Sequence, residues 1–206
     1  TEFPYYFHLE CYELTKDIDS LPKWIRIISE RYGRLSGFVH SAGVQQILPL
    51  KANNYKYMLK VFDINLFAGL AIARAVADKR VNIGTGVSIV FISSIAAKIG
   101  SAGTVNYSAS KAALNGAMRA MAKELSSQNI RVNCVLPGFI KTELTDKWKD
   151  VYHDEYIAKM ENCYPLGIGH ADDVANMVKF LLGDEAKWIT GSEFTVDGGI
   201  TLGVHE

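Results

Sequence analysis

The sequence has no stretch approaching the ~20 consecutive apolar residues needed to cross a bilayer as a helix, and it shows no signal-peptide pattern. It has no excess of charge either. Its 22 basic and 22 acidic side chains give a formal net charge of +0, which argues against a nucleic-acid surface or a polybasic membrane patch. Cysteine is scarce: Cys11, Cys134 and Cys163 lie far apart without metal-ligand spacing, so no metal site is expected. An odd number of scattered thiols suits a reducing cytoplasm. What is present is material for a single soluble domain, since 206 residues at 49% hydrophobic can bury a substantial core.

Strand-like and helix-like patterns alternate along the chain, which predicts an α/β fold with a parallel sheet and helices on both faces. A helix is expected from about Leu21 to Tyr32, with Ile25, Ile28 and Tyr32 on one face and Gly33 as its stop. Leu35 to His40 reads as a strand, and Tyr55–Asp78 and Ala109–Ser126 as long amphipathic helices. The second of these carries Ala109, Ala112, Ala113, Gly116, Ala117 and Ala120, small residues that let another element approach closely, either the chain's own sheet or a second subunit. Ile130–Leu136 is an apolar strand in which Cys134 is an inert core residue.

Chemistry concentrates in Asn106-Tyr107-Ser108-Ala109-Ser110-Lys111. Tyr107 and Lys111, four apart on a helix, share one face one turn apart. A free phenol ionises near ~10, and bringing it to neutrality needs a fall of roughly 3, or about 4 kcal/mol. One ammonium at about 4 Å in an effective dielectric of ~20 supplies that much. Such a pair also arises by chance on amphipathic helices, so the preceding segment matters. Val87–Ser94 is a β-branched apolar run bounded by Gly84-Thr85-Gly86, and it reads as a buried strand. Ser94 then falls at the carboxyl end of its strand, where open α/β sheets place their ligands, and its hydroxyl can bond the oxygen of a carbonyl or alcohol. A serine that merely ends a strand is the plainer alternative. His40 resembles a catalytic group, but a strand-end histidine with no carboxylate partner reads as structural.

On these residues the chain resembles the short-chain dehydrogenases/reductases from about Glu10 to Gly203. The matches fall in order: His40-Ser41-Ala42-Gly43, Asn65 within Asp63-Ile64-Asn65-Leu66, Ser94, Tyr107-x-x-x-Lys111, Pro137-Gly138-Phe139-Ile140-Lys141-Thr142, and the closing run from Thr190 to Gly199. Within that family it is most similar to the 3-oxoacyl-(acyl-carrier-protein) reductases. The resemblance implies a doubly wound, Rossmann-type parallel sheet forming one domain over residues 1–206. It also implies an oxidoreductase that moves a hydride between a nicotinamide cofactor and a carbonyl or secondary alcohol. NADP is favoured over NAD, and a 3-oxoacyl thioester over a sugar, polyol or other secondary alcohol. A catalytically silent binding or scaffold subunit is the reading from a different class. A dimer or tetramer with two-fold axes is expected, the tail from Asp197 to Glu206 adding a contact.

The resemblance also assigns roles. Tyr107 would be the general acid in reduction and the base in oxidation, and Lys111 would lower its pKa and bind the nicotinamide ribose. Ser94 would orient the substrate oxygen, and Asn65 would hold a water continuing the proton relay. Ser41, Ala42 and Gly43 would let the ribose approach the backbone, and Pro137 and Gly138 would turn the chain past the nicotinamide ring. Thr142, beside the backbone at Ile140, would bond the carboxamide. Residues 143–166, with Trp148, Tyr152, Tyr156 and Tyr164 among many charges, would cover the substrate.

Several departures qualify this. No Gly-x-Gly-x-x-Gly or Gly-x-x-x-Gly-x-Gly run opens the chain to cradle a pyrophosphate. Instead Phe7–Thr15 reads as the third strand of the fold and its turn, with Glu13 where relatives carry an adenine-contacting aspartate. The first strand-helix-strand portion, roughly 45 residues by usual domain sizes, is expected upstream of Thr1 in a longer gene product, and with it the residue that selects NAD or NADP. A chain starting at Thr1 would bind a dinucleotide poorly. Relatives usually carry asparagines in place of His40 and Ser41. Finally, Ser126–Asn129 offers no basic residue for docking an acidic carrier, leaving Lys79 and Arg80 as the candidates.

Overall fold

The computed structural model describes residues 8–141 and 161–203. Its centre is a four-stranded parallel sheet in the order β1-β2-β3-β6, with β1 at Gly37–His40, β2 at Val87–Ile92, β3 at Ile130–Pro137 and β6 at Glu193–Val196. A second, two-stranded parallel piece pairs β4 (Ile140–Lys141) with β5 (Gly169–His170) just beyond the carboxyl end of β3. The helices are α1 (Leu21–Tyr32), α2 (Tyr55–Phe62), α3 (Ala68–Val76), α4 (Val105–Leu125) and α5 (Ala171–Leu182).

Alternation along the two central strands divides the core. Val87, Ile89 and Phe91 of β2 and Ile130, Val132, Cys134 and Leu136 of β3 pack against α1, α3 and α4. Val90 and Val135 face the other way, onto Leu181 of α5 and Ala186. On this second face the strands also carry polar side chains that bond the end of α5 or the loop after it, while Nη1 of Arg131 is left buried without a partner among the described residues. Ser88 Oγ donates to the Leu181 carbonyl at 2.8 Å, and Asn133 Nδ2 donates to Ile189 O at 3.0 Å. Period-two patterning thus assembles a two-sided sheet, as expected for a doubly wound α/β fold. Among the described residues nothing pairs with the outer edge of β1, and no helix is long and apolar enough to cross a membrane.

Two expectations are corrected. The described residues 8–13 form no strand. A strand exists only through a ladder, and none of the described strands pairs with this segment. The segment is instead held on α1 by side chains: Tyr12 stacks on Trp24 at 4.3 Å, and Glu10 accepts from Arg31 at 2.6 Å and Tyr32 at 2.7 Å. The helix expected over Tyr55–Asp78 is continuous but carries a π-helical turn at Asp63–Phe67 between α2 and α3. One residue of extra winding rotates α3 relative to α2, and it centres on Asn65. Such turns recur at functional sites.

Candidate active site

Ser94, Tyr107 and Lys111 line one cavity of about 1060 Å³ at the carboxyl ends of β1, β2 and β3. Ser41, Gly43, Pro137, Gly138 and Ile140 line it too. Ala42 and Asn65 are not on its wall, and Thr142 lies outside the described residues, as does most of the expected covering segment at 143–160. Glu13 is not brought to the site. It is exposed, with its carboxylate accepting from the Thr15 backbone and hydroxyl at 3.1 and 2.8 Å, and that turn follows from the missing ladder around residues 8–13.

Local chemistry positions each group. β2 ends at Ile92, whose carbonyl accepts from Lys111 Nζ at 2.7 Å. Ser93 Oγ donates to the Lys111 carbonyl at 3.1 Å, fastening the strand end to α4. Ser94 Oγ accepts from Ala96 N at 3.1 Å, which turns its O–H toward the Tyr107 hydroxyl and the cavity. The ammonium of Lys111 lies 5.7 Å from the centroid of the Tyr107 ring. It is almost wholly buried, and no carboxylate pairs with it among the described residues.

That placement revises the expected electrostatics. Burial pushes the Tyr107 phenol up from its ordinary value, with the Ser94 hydroxyl beside it pulling partly back. Burial likewise pulls Lys111 down to about 8. The ammonium donates to the Ile92 carbonyl, and for the phenol desolvation is the largest influence. In this state Tyr107 is a neutral donor at physiological pH.

Asn65, wholly buried, grips the loop after β1. Its Oδ1 accepts from Val44 N at 2.7 Å, while Nδ2 donates to Val44 O and to Ser110 Oγ, both at 3.0 Å. A water beside this side chain could use only the second lone pair of Oδ1. Gly43 leaves a cradle there, since an added Cβ would stand 3.4 Å from both Asn65 Oδ1 and Lys111 Nζ. A buried cation without an acidic partner, next to a backbone stripped of side chain, fits the hydroxyl-rich ribose of a dinucleotide. Gly138, on the cavity wall, is also tight on its other side. Its Cβ would fall 2.9 Å from Asp197 Cα and 3.1 Å from Tyr164, so it admits the chain's own segments.

The model of the family described as enoyl-(acyl carrier protein) reductase matches residues 15–201. The chain is 32% identical over 187 residues to the 3-oxoacyl-[acyl-carrier-protein] reductase FabG of Thermotoga maritima, covering 90% of this chain and 74% of that one. It belongs to the short-chain dehydrogenases/reductases. Human (3R)-3-hydroxyacyl-CoA dehydrogenase is 39% identical over 144 residues, covering 69% of this chain and 54% of that one. The structure of 4-hydroxyisoleucine dehydrogenase complexed with NADH superposes with a TM-score of 0.85 at 30% identity, covering 93% of this chain and 78% of that one. Membership carries the reaction class: the chain is an oxidoreductase exchanging hydride between a nicotinamide cofactor and a carbonyl or secondary alcohol.

Family matching does not explain His40. It is 1% exposed, and its Nε2 lies 3.1 Å from the Ile64 carbonyl inside the π-helical turn, which fixes the proton on Nε2. Burial, helped by the nearby Lys111 charge, lowers its pKa to about 4. Between 6.5 and about 4 the unfolded chain takes up a proton that the folded one refuses, so this histidine costs stability as pH falls through that window. The loss levels off below about 4 at about 3 kcal/mol. Urea unfolding midpoints of the wild type should fall faster between pH 6.5 and 4 than those of His40→Asn. Parallel curves would contradict the assignment.

Proposed function

We propose that this chain carries the catalytic part of an NADP-dependent 3-oxoacyl-thioester reductase, with Ser94, Tyr107 and Lys111 as its reacting groups. The observation carrying this reading is the character of the cavity next to Ser94 and Tyr107, where Ile47, Ile95, Ala102 and Phe139 form an apolar wall. An acyl chain is well served by such a wall. A polyol hydroxyl laid against that wall, away from Gln45 and Ser101, would lack a partner at a cost of about 1–3 kcal/mol.

When bound, the nicotinamide supplies the hydride to the carbonyl carbon. The chain's own residues handle the oxygen. Ser94, its Oγ already held by Ala96 N, donates its free hydroxyl proton to the substrate oxygen and orients it. Tyr107, kept protonated by burial, gives its phenolic proton to the same oxygen as negative charge develops. Lys111 holds the ribose hydroxyls and provides the route by which the phenol recovers a proton. Asn65 fixes Val44 and Ser110, so that Gly43 and Lys111 keep their spacing. Ser41, Ala42 and Gly43 pass the ribose, Pro137 and Ile140 flank the ring, and Thr142 meets the carboxamide. Residues 143–166 cover the substrate, and Tyr164, whose hydroxyl accepts from Phe139 N at 2.9 Å, anchors the end of that segment at the cavity.

The proposed assembly is a homodimer or homotetramer in the cytoplasm. The small stripe Ala109, Ala112, Gly116 and Ala120 is exposed along α4 and open to a partner helix. Arg80 is a poor docking point for an acidic carrier, because Asp78 already takes its guanidinium at 2.5 Å.

The test is a panel of 3-oxoacyl thioesters and polyols offered to the full-length protein with NADPH or NADH, followed by nicotinamide absorbance. Thioesters with NADPH should exceed every polyol by at least about a hundredfold in kcat/KM, the equivalent of about 2.7 kcal/mol in the transition state. A polyol preferred over all thioesters would overturn the substrate assignment.

A further inference from the structure

The side chains of Asn53 and Asn106 face each other as a closed pair of amides. Asn53 Nδ2 donates to Asn106 Oδ1 at 2.7 Å, and Asn106 Nδ2 donates back to Asn53 Oδ1 at 2.9 Å. We propose that this pair is a positioning clamp that sets the direction of Tyr107, the residue immediately after Asn106. The inference rests on the reading of Tyr107 as the proton donor.

Three observations support it. Tyr107 is the third residue of α4, in the turn whose N–H groups have no partners within the helix. Thr104, which precedes the helix, makes no capping bond; its hydroxyl donates to Ser101 O at 2.8 Å instead. Thr104 does tie to Ser108, hydroxyl to hydroxyl at 3.1 Å, but the bonds that carry this turn to a distant segment come from Asn106. Asn106 is 5% exposed, and its amide bonds reach across to a segment 53 residues away in sequence.

Asn53 in turn is well anchored. It precedes Asn54, whose side chain caps α2 by accepting from Tyr57 N at 3.1 Å. A second tie runs parallel to the clamp, from Leu48 N to Gly103 O at 2.9 Å. Both segments so joined line the cavity, Gln45 and Ile47 from one and Ser101 and Tyr107 from the other. Two antiparallel amide bonds fix both distance and angle, which an apolar contact of the same size does not. Neither amide titrates, so the clamp acts equally across the working pH range.

The experiment compares Asn53→Leu with Asn53→Gln in the full-length protein. Asn53 is half-buried, so both variants are compatible with folding. Asn53→Leu leaves the Asn106 amide buried and unpaired. Backbone hydrogen exchange over residues 105–112 should rise about tenfold, and kcat should fall about tenfold with the Kd for NADPH unchanged. Asn53→Gln, which keeps an amide on a longer arm, should stay within twofold of wild type in exchange, kcat and Kd. Exchange and kcat both within twofold in Asn53→Leu would overturn the clamp, as would raised exchange with unaltered kcat. Tyr107→Phe in the same assay keeps the two ideas apart. If that variant turns over normally, the reading of Tyr107 fails, and hydrogen exchange alone decides whether Asn53 holds the turn.

Discussion

Tyr107→Phe is expected to lower kcat by about a thousandfold while leaving the Kd for the dinucleotide within about twofold. A positioned general acid contributes roughly 10²–10⁴ in rate. The substitution removes one oxygen and no ring atom, so the cavity shape and the contact with Lys111 survive. The phenolic oxygen is free to act as that acid. Its neighbour is the Ser94 hydroxyl, and its proton is retained because burial raises its pKa. Rapid-mixing measurements of nicotinamide absorbance, with binding followed by fluorescence in parallel, separate the two effects. A variant that binds normally and still turns over at a tenth of the wild-type rate or more would remove Tyr107 from the chemistry.

Lys111→Met should do damage of a different kind. Met fills about the volume of the lysine stem but cannot donate to Ile92 O or to a ribose hydroxyl. Both kcat and dinucleotide affinity should therefore fall, kcat/KM by about 10³ or more. The same variant should gain stability. With a folded pKa of about 8 against 10.5 unfolded, the charged lysine costs the folded protein about 3 kcal/mol below pH 8. The sign follows from proton counts: between about 8 and 10.5 the unfolded chain holds the proton that the folded chain has released, so wild-type stability rises with pH across that interval. Lys111→Met has no such rise, and at pH 7 its urea midpoint should equal or exceed that of wild type, less about 1 kcal/mol for the lost bond to Ile92. This is the trade between stability and activity that buried functional charges impose. A clearly less stable variant would mean that Lys111 serves packing first.

The three reacting groups were legible because each sits in a short local pattern. Ser94 ends an apolar strand, and Tyr107 and Lys111 are one helical turn apart, so strand, loop and helix in that order already bring them together. Contacts between distant segments left no such trace. The Asn53–Asn106 pair and the Ser93 bond to the Lys111 carbonyl join residues 53 and 18 positions apart, and neither has a spacing to read. The π-helical turn at Asp63–Phe67 was hidden because the apolar periodicity from Tyr55 onward is that of an ordinary helix. Phe7–Thr15, with apolar and aromatic residues interleaved with polar ones, reads like a strand, yet composition supplies no ladder. Spacing gives the distance between a phenol and an ammonium but not their exposure. The sign of the Tyr107 shift therefore had to come from burial, which outweighs the Ser94 hydroxyl beside it.

The pH dependence of kcat/KM for carbonyl reduction is the most direct test of the site as a whole, because it reports groups of the free enzyme. Expected is a plateau from about pH 6 that declines above about 8 as Lys111 loses its proton, with Tyr107 still protonated, and the disappearance of that decline in Lys111→Met. A profile of unchanged shape in Lys111→Met, or a wild-type rate that climbs with pH from about 8 to about 10, would contradict a buried neutral phenol working beside a lysine that titrates.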